Sequence, residues 1–325
     1  MINEESTAIL RAGELLTQLR AQIGKALVGQ AAVVEQTLIA LLVSGHVLIE
    51  GVPGLGKTLL VRALAQALSL EVGRIQFTPD LMPSDITGHA ILDQATRELR
   101  VVRGPVFTNI LLADEINRAP AKTQSALLEV MQEGQVTLEG RTLALPKPFI
   151  VLATQNPLET DGTYPLPEAQ LDRFLLKIDM RYPSQSEEVE IVLLTTSNQT
   201  GDRLPLTAVT PVLSERNVLA LQALVARQRI DAAIVDYAVR IARATRGAAG
   251  LAMGSGPRGA IALVRAAKAK ALLDARSFVV PDDVKGIALA VLRHRLVLSA
   301  DAELDGRKVD DLLEGILEST AAPRA

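Results

Sequence analysis

The chain has 325 residues, of which 48% are hydrophobic, and a net charge of −3. It can therefore bury a large core, and its overall charge does not indicate a general nucleic-acid or anionic-membrane binder. The absence of cysteine excludes a disulfide scaffold and a thiolate metal site, and the three widely spaced histidines do not indicate a histidine metal site. The N-terminus lacks the pattern of a signal peptide and the longest apolar run is short, so we expect no membrane span and a cytoplasmic location.

Two helices are predicted before the first strand. Residues 4–27 form an amphipathic pattern in which leucine or isoleucine recurs every fourth residue, at Leu15, Leu19, Ile23 and Leu27. A second helix is predicted over 31–44, and it ends at Gly45. The loop between them contains Val28-Gly29-Gln30, which we interpret as a frame for an adenine base, although Gly-Gln is also common in ordinary loops.

A phosphate-binding pattern follows the first apolar strand: Gly51-Val52-Pro53-Gly54-Leu55-Gly56-Lys57-Thr58. The strand before it and the helix after it are the context that this pattern requires. Glycine lets backbone N–H groups surround phosphate oxygens, and the N-terminus of the helix adds partial positive charge. The Lys57 ammonium can reach the β- and γ-phosphates, and the Thr58 hydroxyl can bind Mg²⁺. We predict that this segment and the next helical residue, Leu59, bind ATP.

An acidic pair, Asp114-Glu115, ends the continuous apolar run 110–113, which is typical of a central parallel strand. In a parallel sheet, this strand end lies beside the phosphate loop. We predict that Asp114 holds Mg²⁺, directly or through water, and that Glu115 activates the water that attacks the γ-phosphate. The alternative is a solvated acidic turn.

Asn156 ends the next buried strand, 149–154. Its amide can hydrogen-bond a γ-phosphate oxygen and the attacking water together without adding charge. The alternative is a turn residue before Pro157.

Three arginines are candidates for contacts at the nucleotide. Arg173 can stabilise charge on the phosphate of a neighbouring subunit, or it can pair with Asp172 or Glu168. Arg258, at the start of a later helix, can contact the nucleotide or be a surface charge. Arg118 is either a residue of the subunit interface or part of a local salt bridge.

The alternation of strands and helices up to about residue 182 predicts an α/β fold with a parallel sheet. Strands are also predicted over 72–77 and up to Asp179, and a helix over 120–133, with a polar loop at 78–85. Two hairpins interrupt the alternation: 90–93 with 99–102 around the polar tip 94–98, and 135–138 with 141–145 around the turn 139–140. After residue 182 the pattern is helical, with helices predicted over 186–197, 214–227, 231–246, 257–274, 281–296 and 307–318. We predict a nucleotide-binding core over 1–200, a linker over 201–213 and an all-α domain over 214–325.

Together these segments resemble an AAA+ ATPase, and specifically the MoxR family. The loop 51–58 is similar to Walker A and 111–115 to Walker B. Three further strings are similar to the MoxR branch: 116–120, 76–85 and 153–157. The resemblance implies a P-loop AAA+ core with two hairpin inserts that line a central pore, followed by a helical lid. It also implies that Asn156 is sensor 1, Arg173 the arginine finger and Arg258 sensor 2.

The resemblance further implies a hexameric ring that acts, chaperone-like, on a protein client. A partner with a von Willebrand factor A domain and assistance in metal or cofactor insertion are also implied. Since the finger cannot reach its own phosphates in this layout, we expect a head-to-tail ring.

Three other functions are alternatives to a MoxR-type ATPase. A magnesium-chelatase-like motor subunit has a similar core and similar inserts, but the MoxR-type strings argue against it. A DNA-acting ring needs basic hairpin tips, and Glu98 and Glu139 dilute the charge of the arginines nearby: Arg97, Arg100, Arg103 and Arg141. A nucleotide-gated binding module without turnover would not need Glu115, Asn156 and Arg173 together.

Overall fold

A computed structural model describes residues 2–92, 97, 99–157, 162–197 and 204–323. The strands are β1 (Val47–Glu50), β2 (Val72–Gln76), β3 (Gly88–Leu92), β4 (Leu99–Arg103), β5 (Ile110–Asp114), β6 (Gln135–Leu138), β7 (Arg141–Ala144), β8 (Ile150–Gln155), β9 (Leu176–Asp179), β10 (Leu251–Met253) and β11 (Val297–Leu298). The helices are α1 (Ile2–Gly24), α2 (Ala31–Leu42), α3 (Lys57–Leu68), α4 (Pro83–Thr87), α5 (Ala121–Glu133), α6 (Glu168–Leu171), α7 (Gln185–Thr196), α8 (Glu215–Arg227), α9 (Ala232–Ala244), α10 (Pro257–Leu273), α11 (Pro281–Leu292), α12 (Ala300–Leu304) and α13 (Val309–Ser319).

Five strands form a parallel sheet in the order β2-β5-β8-β1-β9. The central strands β5 and β8 are apolar because both of their faces are covered. Ile110 pairs with Ile150 and Ala113 with Ala153, so these two strands end at the same edge of the sheet. The α/β fold predicted from the sequence is confirmed, and its parallel register brings the candidate site residues to one edge.

His46 fixes the start of β1 within the sheet. Its Nε2–H donates to the carbonyl of Met131, and its Nδ1 accepts the N–H of Val151, each over 3.0 Å. Because Nδ1 is an acceptor here, the imidazole must be neutral. Burial lowers the pKa of His46 to about 4, partly opposed by the bond to the Met131 carbonyl. His46 is therefore a structural residue, as its isolated position in the sequence indicated.

The two predicted hairpins are confirmed as the antiparallel pairs β3–β4 and β6–β7. Most of the predicted tip 94–98 of the first hairpin, and residue 93 of its predicted first strand, lie outside the described residues. The loop predicted over 78–85 is wrong in part, because the short helix α4 begins at Pro83. The Asp85 carboxylate accepts the backbone N–H of Met82 and so caps this helix, which the composition of the segment concealed.

The N-terminal helix departs from its prediction at two points. It ends at Gly24, before the predicted 27, and Leu16 rather than Leu15 lies on the fully buried face. The buried stripe therefore continues from Leu16 through Leu19 and Ile23 with mixed spacings of three and four, as a helix of 3.6 residues per turn requires.

The region after residue 182 is mainly helical, as predicted, and the ends of its helices differ from the predicted ones by a few residues. It also contains the short helix α12 and the short antiparallel pair β10–β11, neither of which was predicted from the sequence. The helix predicted over 281–296 ends at Leu292 and is followed by a 3-10 turn, Arg293–Arg295. Among the described residues, no helix has the length and apolar composition needed to cross a membrane.

The predicted linker 201–213 is described from residue 204 onward. There the chain runs along α3, where Gln66 donates its side-chain amide to the carbonyls of Leu206 and Val209. The backbone N–H of Val212 donates to the Ala67 carbonyl over 2.7 Å. The division into a core over 1–200 and a lid over 214–325 remains a prediction.

Replacement of His46 by glutamine tests its buried neutral state. In the folded protein His46 stays neutral down to about pH 4, whereas in the unfolded chain it takes up a proton near the ordinary histidine pKa of 6.5. Acid therefore favours the unfolded state. As the pH falls through this window, wild type should lose about 1.4 kcal/mol of unfolding free energy per pH unit relative to His46→Gln. Denaturant unfolding of both proteins at several pH values measures this difference, and parallel stability curves would contradict it.

Candidate nucleotide site

The phosphate loop Gly51–Thr58 connects β1 to α3. Gly54 and Gly56 have φ angles of +88° and +91°, which glycine adopts without Cβ strain. A Cβ on Gly51 would lie 2.7 Å from the carbonyl oxygen of Met180, so only glycine fits there. These residues turn the chain into α3, which begins at Lys57. The loop therefore ends at a helix N-terminus, where backbone N–H groups favour an anion.

The Lys57 ammonium lies between the first residue of the phosphate loop and the last residue of β8. Its Nζ donates to the carbonyl of Gly51 and lies 3.4 Å from that of Gln155. Burial lowers the pKa of Lys57, while the nearby charges of Asp114, Glu115 and Glu50 raise it. Lys57 thus lies within the electrostatic field of the acidic pair. Its binding to phosphate remains a prediction.

Both oxygens of Asp114 are held by neighbouring strands. Oδ1 accepts the hydroxyl of Thr154 over 2.6 Å, and Oδ2 accepts Arg74 NH2 over 2.8 Å. Thr154 is almost completely buried in β8, and Arg74 extends from β2. The carboxylate is therefore fixed from both sides of β5 and is only 16% exposed.

Glu115 follows β5 in a strained backbone conformation, with a φ of +57°. Its backbone N–H donates to the Thr154 hydroxyl over 2.9 Å, so this hydroxyl joins the two acidic residues. Its Oε2 accepts the amide of Gln76 over 2.8 Å and Arg118 NH1 over 3.0 Å. The acidic pair is therefore not a freely solvated turn. Arg118 forms the local salt bridge that was one of its two predicted roles.

Asn156 comes directly after β8, next to Gln155, whose carbonyl accepts the N–H of Gly51 over 3.4 Å. This bond joins the strand end to the phosphate loop. Asn156 is half-buried. The structure therefore brings Asn156 to the edge of the sheet that carries the loop and the acidic pair.

A cavity of about 300 Å³ lies between the start of α2 and the segment that follows β9. Gly29 and Gln30 line it, together with Arg181, Tyr182 and Arg293. The Gln30 side-chain amide donates to the Arg181 carbonyl over 2.9 Å, which fixes one wall. Gly29 and Gln30 thus line a cavity, whereas the adjacent Val28 is half-buried and is not part of the lining. Binding of the adenine base there remains a prediction.

Arg173 and Arg258 lie near each other because Arg258 pairs with Asp172, the residue that precedes Arg173. Arg173 NH1 donates to the Leu128 carbonyl of α5 over 2.8 Å. Arg258, 63% exposed, has its NH1 3.5 Å from the carboxylate of Asp172, which also accepts Arg295 Nε. In the single chain, Arg258 is thus joined to the residue before Arg173, and Asp172 is shared by two arginines of the helical region.

Comparison with known proteins places this site in a family. The profile described as "ATPase family associated with various cellular activities (AAA)" matches residues 46–176, and that of the AAA lid domain matches 243–316. Chaperone MoxR1 of Mycobacterium tuberculosis is 45% identical to the chain, and the match covers 96% of this chain and 84% of that protein. The chain belongs to the MoxR family of AAA+ ATPases.

Two further comparisons agree with membership of the MoxR family. Protein MoxR of Methylorubrum extorquens is 33% identical, with 93% of each chain covered. The crystal structure of a proposed ATPase from Cytophaga hutchinsonii superimposes with a TM-score of 0.90 at 40% identity, covering 99% of this chain and 98% of that one. The similarity extends through the whole chain, including the helical part in which the sequence motifs are sparse.

Several residues of the candidate nucleotide site were not predicted from the sequence. Thr154, Arg74 and Gln76 hold the acidic pair, and Arg293 and Tyr182 line the cavity. The only available signal was the position of Arg74, Gln76 and Thr154 near the carboxyl ends of strands. Nothing in the local sequence connects Arg293 with Gly29, because their proximity results from the fold.

Replacement of Thr154 by valine tests the bridge across the acidic pair. Valine keeps the shape but removes the donor to Asp114 and leaves the N–H of Glu115 without its acceptor. We expect kcat for ATP hydrolysis to fall about 10- to 100-fold through misplacement of the carboxylates. Nucleotide affinity should change little. Thr154→Ser retains the hydroxyl and is the matched control, so equal rates for the two variants would exclude the bridge from catalysis.

Proposed function

We propose that the chain hydrolyses ATP between the subunits of a ring and uses the cycle to remodel a protein client. The observation that carries this proposal is the hydroxyl of Thr154, which fixes Asp114 and Glu115 beside the phosphate loop. Two aligned carboxylates next to a lysine and a helix N-terminus suit phosphoryl transfer to water. Membership of an ATPase family supports the same reaction.

ATP is the substrate, with its phosphates in the loop 51–58 and its base in the cavity at Gly29 and Gln30. Lys57 and the N–H groups of the loop hold phosphate charge. The Thr58 hydroxyl and the Asp114 carboxylate are oxygen donors of the kind that Mg²⁺ prefers, and Asp114 is held in a fixed orientation by its two bonds. When bound there, Mg²⁺ would neutralise charge on the phosphates.

Glu115 is the proposed general base. Gln76 and Arg118 hold its Oε2, which limits rotation of the carboxylate. The carboxylate takes the proton of the attacking water, and the amide of Asn156 positions that water and a γ-phosphate oxygen. The bonds that Thr154, Gln76 and Arg118 make to the acidic pair hold this arrangement in place before the substrate arrives.

Arg173 is the proposed arginine finger, supplied to the site of the next subunit in a head-to-tail ring, which we propose to be a hexamer. Arg258 is proposed as sensor 2, a lid arginine whose pairing with Asp172 changes with the state of the nucleotide. The hairpins β3–β4 and β6–β7 are proposed to line the pore and to move against the client. A partner with a von Willebrand factor A domain is proposed on the basis of family resemblance. We propose no nucleic-acid client.

A trapping experiment tests this function. Glu115→Gln should bind ATP·Mg²⁺ but hydrolyse it about 100-fold or more slowly, because the amide cannot accept the proton. Loaded with ATP, the variant should retain a specific protein from native lysate, to be identified by mass spectrometry. Lys57→Ala is the control because it should not hold the phosphates.

Two outcomes would overturn the proposed function. Equal capture by Glu115→Gln and Lys57→Ala would show that capture does not depend on nucleotide. Retention of nuclease-sensitive nucleic acid in place of protein would favour a DNA-acting ring.

A further inference from the structure

The segment Asp172–Leu175, which contains Arg173, is held by a turn of the helical lid. This Arg-His-Arg turn is Arg293–Arg295. Arg295 donates Nε to Asp172 Oδ1 over 2.8 Å, NH2 to the Phe174 carbonyl over 2.7 Å and NH1 to the Leu175 carbonyl over 3.2 Å. One side chain therefore holds the chain before and after Arg173.

The pair between Arg295 and Asp172 is almost inaccessible to solvent on its cationic side. The Arg295 side chain is 4% exposed and that of Asp172 is 30% exposed. A buried guanidinium needs a counter-charge and full hydrogen bonding, and here one carboxylate and backbone carbonyls supply both. Because the donors of one guanidinium bind three residues of this four-residue segment, the position of the segment follows the position of the turn.

The other end of the same turn faces the nucleotide cavity. Arg293 lines the cavity beside Gly29 and Gln30 and pairs with Asp310 over 2.8 Å. Two residues along the chain, Arg295 holds the segment of Arg173. The Arg-His-Arg turn thus connects the cavity in which a chain would bind its own base to the arginine that it would extend to its neighbour.

We propose that Arg295 and Asp172 are positioning residues for hydrolysis in the neighbouring subunit, and that the Arg-His-Arg turn transmits the state of a chain's own pocket to Arg173. The inference rests on the proposed function, since it requires Arg173 to act in the next subunit. It assigns the control of the finger to the lid, although the finger belongs to the nucleotide-binding core.

Asp172→Asn is the first test. Asparagine keeps the size and an acceptor oxygen but removes the charge opposite both Arg295 and the exposed Arg258, so the segment of Arg173 should lose its fixed position. We expect kcat to fall about 10- to 100-fold, while the Kd for ATP and the assembly state stay as in wild type. The matched control is Asp236→Asn, which removes the carboxylate from an exposed pair with Arg240 that has the same Nε–oxygen distance of 2.8 Å.

Arg295→Lys is a second variant for the same contact. Lysine keeps the charge but cannot direct several donors to Asp172, Phe174 and Leu175 at once. It should reduce kcat to a similar extent with an unchanged Kd for ATP. Wild-type kcat in both Asp172→Asn and Arg295→Lys would overturn the proposal, as would an equal loss in Asp236→Asn.

Mixed rings decide whether the effect acts on the neighbour. Lys57→Ala subunits have a defective loop but an intact finger, so in an equal mixture with Asp172→Asn about a quarter of interfaces combine an intact loop with an intact finger. Hydrolysis should rise well above that of either variant alone. A purely local structural defect of Asp172→Asn would not be rescued in this way, and the absence of rescue would overturn the inference.

Arg173→Ala mixed with Lys57→Ala separates this inference from the proposed function. Rescue in this mixture supports the finger assignment itself. If it is rescued and the Asp172→Asn mixture is not, the positioning role fails while the proposed function stands. If neither mixture is rescued, the finger assignment fails and the inference fails with it.

Discussion

Two carboxylates at the end of one buried strand, Asp114 and Glu115, set the conditions for the rest of the site. Adjacent like charges in a partly buried place require compensation. Thr154 supplies a hydroxyl to one and accepts the backbone of the other, and Arg74 and Arg118 supply positive charge. These partners come from β2, β8 and the turn after β5, so the acidic pair is held only when the parallel register is correct. The contacts that stabilise this edge of the sheet are therefore the same contacts that orient the two carboxylates.

The candidate site residues come from two regions of the chain. The loop, the acidic pair and Asn156 lie at one edge of the sheet, whereas Arg173 is anchored on α5 and on the segment held by Arg295. The lid contributes to both parts, through Arg293 at the cavity and Arg295 at Asp172. In the proposed ring, a change in the lid would alter the proposed base site and the position of Arg173 together, which is a physical route for communication between sites.

The parts of this site that the sequence predicted are local ones. The loop 51–58, the pair Asp114-Glu115 and Asn156 each follow an apolar strand, and the rule that parallel strands end at one edge was enough to bring them together. The partners of the acidic pair were not predicted because no spacing in the sequence connects strands that become neighbours only in the sheet. Arg293 was not predicted because the fold alone brings its turn to Gly29. The helix α4 was missed because its proline and polar residues are as frequent in loops, and β10–β11 because its two strands are too short to produce a periodic pattern.

The most direct test of the central claim, a site completed by two subunits, is the rate of ATP hydrolysis per subunit as a function of protein concentration. Sedimentation of the same samples gives the assembly state. If the neighbour's arginine completes the site, the rate per subunit falls steeply as rings dissociate and returns when they re-form. A rate per subunit that stays constant down to the monomer would contradict the account, because one chain would then suffice for hydrolysis.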